Sequence, residues 1–73
     1  MNDDSSLTEE ELMLHIRLRG LRREHADLDA AIEALGATAV PDQLRIARLK
    51  RQKLALRDEI VKIEARILPD IIA

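Results

Sequence analysis

The chain has 73 residues, with 12 lysines and arginines, 14 aspartates and glutamates, and no cysteine or aromatic residue. The absence of cysteine excludes disulfides and thiolate metal ligands, and the net charge of −2 gives no overall attraction to nucleic acid or anionic lipid. No segment approaches the roughly 20 apolar residues of a transmembrane helix, which excludes a membrane span. A domain this small buries only about 60% of the surface that its unfolded chain exposes, so we expect it to need a partner.

The first predicted elements are a short tail and a long helix. Residues 1–6 are polar and acidic, unlike a secretory or mitochondrial leader, so we predict a disordered tail and a cytoplasmic, bacterial-type protein. Helix 1 is predicted near residues 7–35. Two overlapping segments fit the capping box that starts a helix, Ser6-Leu7-Thr8-Glu9 and Thr8-Glu9-Glu10-Glu11.

A break follows at residues 36–41. Gly36 suits the left-handed residue just past a helix end, and Pro41 suits the first turn of a new helix. Helix 2 is predicted near residues 42–68, because Pro69 cannot continue it, and residues 69–73 form a C-terminal tail.

Apolar residues in both predicted helices recur with alternating steps of three and four, which is the spacing of a coiled-coil seam. The short break between them forces the two seams to meet antiparallel. We therefore predict an all-α fold, a two-helix antiparallel coiled-coil hairpin. The seam positions are Leu14, Leu18, Leu21, His25, Leu28, Ile32 and Leu35 in helix 1, and Ile46, Leu49, Lys53, Leu56, Ile60, Ile63 and Ile67 in helix 2.

Charged residues beside the seam bear on the register of the hairpin. On one side, one register pairs Arg17 with Glu59 and Glu10 with Arg66, whereas a half-heptad shift brings Glu24 opposite Glu59. Exposed pairs contribute well under ~1 kcal/mol each, so they bias the register without holding the fold together. On the other side, folding back places Asp29 across from Lys50, His15 across from Glu64, and Arg22 across from Arg57.

The segments 25–32 and 42–60 resemble the YdcH family. Its pattern, H-x-x-L-D-x-x-I followed by L-K-x-x-K-L-x-L-K/R-D-E-I, matches His25-Ala26-Asp27-Leu28-Asp29-Ala30-Ala31-Ile32 and the run from Leu49 to Ile60. The resemblance covers about half of the chain, while the aromatic residues common around the first helix of that family are missing. It implies a short bacterial helical hairpin of unknown function.

A second apolar stripe predicts self-association. Leu54, Val61 and Leu68 recur every seven residues in helix 2, and we expect Leu12 and Ile16 to join them on one face near the termini. Contiguous apolar patches usually mark interfaces. We therefore predict a symmetric homodimer, a four-helix bundle of two hairpins.

Two seam positions are polar, His25 and Lys53, and we expect them within about one helical turn of each other. Polar residues in a seam fix register and partner number at some cost in stability. Asp29 or Glu24 is expected to neutralise Lys53. The alternative is a buried His25 that switches assembly with pH.

Metal binding and catalysis have little support in the sequence. Glu11 and His15 share one helix face but fall short of a ligand set, and no phosphate loop or nucleophile–base arrangement is present. We therefore predict a non-enzyme with no cofactor, no metal, no small-molecule substrate and no membrane partner.

The preferred function is a structural or interaction protein that offers its outer helical faces to a protein partner. The alternative is a weak nucleic-acid-associated bundle, because ten of the twelve cations cluster in two arginine-rich strips. Against it, no aromatic side chain is available to stack on bases. The possible phosphate contacts are Arg19, Arg22, Lys50 and Arg57.

Overall fold

The computed structural model describes residues 7–67 and contains two helices, α1 (Glu9–Gly36) and α2 (Gln43–Ile67). They pack against each other along their length, with the early part of α1 beside the late part of α2. At 1.5 Å per residue the helices are about 42 Å and 38 Å long. The predicted antiparallel hairpin is confirmed. The predicted tails at 1–6 and 69–73 lie outside the described residues.

Helix α1 starts with a capping box at Thr8. The Thr8 hydroxyl accepts a hydrogen bond from the Glu11 backbone N–H, and the Glu11 carboxylate accepts one from the Thr8 N–H, both at 3.0 Å. This is the second of the two predicted capping segments, and it makes α1 begin two residues later than the predicted position 7. The three glutamates that follow Thr8 complement the positive end of the helix dipole.

The end of α1 differs from the prediction. Gly36 is the last helical residue, and the cap is Ala37 in a right-handed conformation with φ −86° and ψ −3°. The expectation of a left-handed Gly36 past the helix end is therefore wrong. The last turn is closed instead by the Ala37 N–H, which donates to the Glu33 carbonyl at 3.2 Å, and by the Thr38 hydroxyl, which donates to the Leu35 carbonyl at 3.0 Å.

Helix α2 begins one residue later than predicted because Asp42 caps it. The Asp42 carboxylate accepts the Arg45 backbone N–H at 3.1 Å, and the Asp42 carbonyl accepts the Ile46 N–H at 3.0 Å. Pro41 therefore precedes the cap and does not belong to the first turn, which corrects that prediction. The described part of α2 ends at Ile67, so Leu68 lies outside it.

The core is the predicted seam. All fourteen seam positions are buried or half-buried, including the two polar ones. The least exposed side chains, at 6–9%, are Leu18, Leu21, Ile46, Ile60 and Ile63. The seam is thus a single apolar stripe per helix, and the outer surfaces of both helices face solvent.

We expect Asp42→Ala to lower the free energy of unfolding by about 1 kcal/mol, because it removes the acceptor for the Arg45 N–H at the start of α2. Urea denaturation followed by circular dichroism at 222 nm, at a fixed protein concentration, measures the change. Asp58→Ala is the matched control, since Asp58 is an exposed aspartate within α2. An equal loss in both variants would contradict the capping role.

Candidate interaction surfaces

Ion pairs across the seam identify the register of the hairpin. Arg17 Nη2 lies 3.1 Å from Glu59 Oε2, and Arg66 Nη2 lies 3.3 Å from Glu10 Oε2. Both pairs belong to the first of the two predicted registers, which is confirmed. The half-heptad shift that would bring Glu24 opposite Glu59 is therefore wrong.

The opposite side of the hairpin pairs differently from the prediction. Glu64 accepts a hydrogen bond from Arg22 Nη2, where we expected His15 to face Glu64 and Arg22 to face Arg57. The partner of Arg22 thus lies seven residues, about two helical turns, from Arg57, toward the open end of the hairpin. Arg17 and Arg22 are five residues apart, so they lie on opposite sides of the Leu18–Leu21 stripe.

The two sides are named by these pairs. The acidic flank is the side that carries the Arg17–Glu59 and Arg66–Glu10 pairs. The basic flank is the side that carries the Arg22–Glu64 pair. Each pair is exposed and contributes under ~1 kcal/mol, so the pairs select the register while the apolar seam supplies stability.

The polar layer of the seam contains His25 and Lys53, both half-buried. Lys53 Nζ lies 2.7 Å from Asp29 Oδ1, so Asp29 has Lys53 as its partner and not Lys50 as predicted. The hydrogen bond and charge of Lys53 lower the pKa of Asp29 below its ordinary value of 3.8. Of the two acids proposed to neutralise Lys53, the structure selects Asp29. The lysine stem covers the seam while its ammonium group reaches the surface.

Two grooves that share Glu24 follow the acidic flank. Seam leucines line both of them, and Gly20 lies in the wall of the second, with open space around the position where a Cβ would be. Met13 and Ile16 line the second groove near the open end of the hairpin. We call the two together the acidic groove, because four acids and two arginines line them: Glu10, Glu24, Asp27, Glu59, Arg17 and Arg66.

The basic flank has grooves of opposite charge. The larger one, which we call the basic groove, is lined by three cations, His25 and Leu54, and by no acid. Its cations are Lys50, Lys53 and Arg57. A smaller groove on this flank is lined by His15, Leu18, Arg19 and Arg22. The four predicted phosphate contacts thus lie on one flank, divided between two grooves.

The predicted self-association residues do not share one groove. Leu54 lines the basic groove, and Val61, seven residues further along α2, lies on the same flank. Ile16 lines the acidic groove on the other flank. Leu12 is exposed on α1, and Leu68 lies outside the described residues. Sequence reasoning missed Met13, although its three-residue spacing from Ile16 could have revealed it.

Residues 7–67 contain no cluster of three or more acidic or histidine side chains that could hold a metal ion. Neither described helix is long and apolar enough to cross a bilayer. What this region does present is a pair of shallow, oppositely charged grooves on an elongated scaffold. Shallow grooves with apolar floors suit contacts with helices or other protein surfaces.

The fold and the two flanks define a small all-α hairpin protein. A family model described as "Protein of unknown function (DUF465)" matches residues 18–64, which are 47 of the 73 residues. The chain belongs to this family, and the YdcH family that the sequence resembles lies in the same group. No curated protein and no solved structure matches the chain.

We expect Lys53→Leu to raise the free energy of unfolding by about 1 kcal/mol, because leucine completes the apolar seam without the cost of desolvating part of a charge. Urea denaturation measures this change, and light scattering measures the assembly state. An unchanged assembly with greater stability indicates that Lys53 costs stability without setting partner number. Loss of a single defined assembly would show instead that the polar layer sets partner number.

Proposed function

We propose that this chain is a non-enzymatic interaction module, a helical hairpin that self-associates and binds a protein partner through its remaining faces. One observation supports it. Large apolar side chains on the outer surfaces remain 48–68% exposed in both helices. They are Leu12, Met13, Ile16, Leu44, Leu54 and Val61.

The narrow core makes association favourable. A domain below about 70–80 residues rarely obtains more than ~3–5 kcal/mol from one core, and small proteins commonly compensate by oligomerising. Here each helix buries one stripe, and the most enclosed side chain of the described residues is still 6% exposed. Burying the outer apolar residues against another helix surface would add about 25 cal/mol per Å² of apolar area. A homodimer is the smallest assembly that provides this burial.

The chemistry of the ionisable residues suits a structural role. Acid–base catalysis requires a group with a pKa near the working pH. Asp29, beside the polar seam, has its pKa moved away from neutrality by Lys53. Three other carboxylates, those of Glu10, Glu59 and Glu64, are each engaged in an ion pair with an arginine. We place this module in the cytoplasm, and fractionation of the host cell tests that location.

Self-association has a direct test. We expect sedimentation equilibrium at micromolar concentration to give at least twice the chain mass, 2 × 8.3 = 16.6 kDa, with a concentration-dependent approach to 8.3 kDa on dilution. Because burial between subunits stabilises the fold, the thermal midpoint should also rise with protein concentration. A constant mass of 8.3 kDa through the micromolar range would contradict self-association.

A second candidate, nucleic-acid binding, is favoured by the basic flank. No carboxylate of residues 7–67 lies within 4.0 Å of a charged nitrogen of Arg19, Lys50 or Arg57. Phosphates could take these positions. Exposed Leu54 and Val61 beside these cations suit a protein surface better than a phosphate backbone, so we place this candidate second.

The interaction-module proposal predicts no binding of labelled DNA or RNA in fluorescence anisotropy at ~50 mM salt, where phosphate contacts are strongest. Affinity capture from the host, repeated after nuclease treatment, should recover the same protein partner. Binding that weakens when Lys50 and Arg57 are both changed to glutamine, with Lys62→Gln as the control, would instead establish the second candidate.

A further inference from the structure

The side of α1 that faces away from α2 is apolar near the open end of the hairpin. Leu12 and Met13 lie four and three residues before Ile16, so all three are neighbours on one helix surface, and all three are exposed. Ile16 is two residues from each of the seam positions Leu14 and Leu18, about 200° around the helix. It therefore lies opposite the seam. We call this surface the outer face of α1.

The charges along this part of α1 are separated by sign. Within residues 9–23, all three acids precede Leu12 and all four arginines follow Ile16. The acids are Glu9, Glu10 and Glu11, and the arginines are Arg17, Arg19, Arg22 and Arg23. The segment thus has an acidic end, an apolar middle and a basic end. A surface with this order is complementary to itself when a second copy is turned end over end.

Glu9 and Arg19 form the two ends of the outer face. Glu9 lies three residues before Leu12 and Arg19 three residues after Ile16, so these four positions repeat the three-and-four spacing of the seam. Within residues 7–67 neither Glu9 nor Arg19 has an ion pair, whereas Glu10 and two other arginines of the segment pair with α2. The two charges at the ends of the face are therefore available to a second chain.

We propose that two copies of the chain dock through this outer face, with their α1 helices antiparallel and a two-fold axis at the level of Leu14. The proposal deepens the proposed self-association, on which it rests. Leu12 lies two residues before Leu14 and Ile16 two residues after it, so each Leu12 meets the Ile16 of the other copy. Glu9 lies five residues before Leu14 and Arg19 five after it. Two Glu9–Arg19 ion pairs therefore close the ends of the contact.

The surroundings of the face suit this contact. Gly20, next to Arg19, has open space around the position where a Cβ would be, so the start of the other α1 can approach closely. Because α2 lies on the opposite side of α1, the seam and its ion pairs stay as they are. The exposed apolar residues of α2 remain available to a protein partner: Leu44, Leu54 and Val61.

Two other arrangements are less favourable. Parallel docking of the same faces would place each Glu9 beside the Glu9 of the other copy and each Arg19 beside the other Arg19, which is repulsive. Docking through α2 would depend on Leu54 and Val61, which are two helical turns apart with Asp58 on the surface between them. The outer face of α1 is the more continuous apolar surface.

An alanine pair tests which helix forms the contact. We expect Ile16→Ala to weaken self-association at least about tenfold, because each dimer loses the burial of two Ile16 side chains. Leu54→Ala is the matched control, since both side chains are 58% exposed, and it should associate like the unmodified chain. Sedimentation equilibrium measures association, and circular dichroism at 222 nm verifies that each variant keeps its helices.

Charge reversal tests the antiparallel arrangement. Arg19→Glu and Glu9→Lys each place two pairs of like charges in the homodimer, so each variant alone should associate at least about tenfold more weakly. An equimolar mixture of the two variants should regain association. The mixed dimer has one original Glu9–Arg19 pair and one pair between the introduced lysine and the introduced glutamate. Arg51→Glu, at an exposed arginine of α2, is the control for the change in net charge.

Each other outcome contradicts part of the proposal. Weakening by Leu54→Ala that equals or exceeds that by Ile16→Ala would place the contact on α2. Undiminished association of the two charge-reversal variants, or a mixture as weak as either alone, would overturn the antiparallel arrangement. All of these results leave self-association standing. A monomeric unmodified chain would overturn both proposals.

Discussion

The apolar seam between the two helices holds the hairpin together. Its centre is the cluster of Leu18 and Leu21 from α1 with Ile60 and Ile63 from α2. Burial of these side chains supplies the stabilisation that orders two long helices, which would be marginal alone in water. Because each helix buries only one stripe, most of its remaining side chains lie at the surface. The residues beside the seam therefore decide what the hairpin can bind.

The charges beside the seam have two roles at once. Within the hairpin, pairs such as Arg17–Glu59 and Arg22–Glu64 select one register among those that the apolar spacing permits. Toward solvent, the position of each remaining charge relative to the seam decides on which flank it lies. A shift of register would slide the helices along each other and change which charges meet, without moving any of them to the other flank. The seam thus decides the flank of each charge and the register decides its partner.

The polar layer shows how the seam tolerates charge. Lys53 occupies a seam position, yet its ammonium group reaches Asp29 at the surface, 2.7 Å away. The lysine therefore avoids the full desolvation penalty that an enclosed charge would carry. A longer or wider bundle would close over this position. The ammonium group of Lys53 can reach the surface because only two helices surround the seam. Any copy or partner that docks on the basic flank must leave room for the Lys53–Asp29 pair.

The two helices, the seam and the antiparallel fold could be predicted from the residues alone, because helical periodicity and capping are local properties of the chain. The sequence left two registers open, since both keep the seam apolar and differ only in weak exposed pairs. The exact ends of the helices were also not predicted correctly. Gly36 remains helical because the Ala37 N–H and the Thr38 hydroxyl close the last turn. The structure was needed to show that Asp29 pairs with Lys53 and that Arg22 pairs with Glu64. These partners depend on how far long side chains reach along the packed helices, which no local pattern specifies.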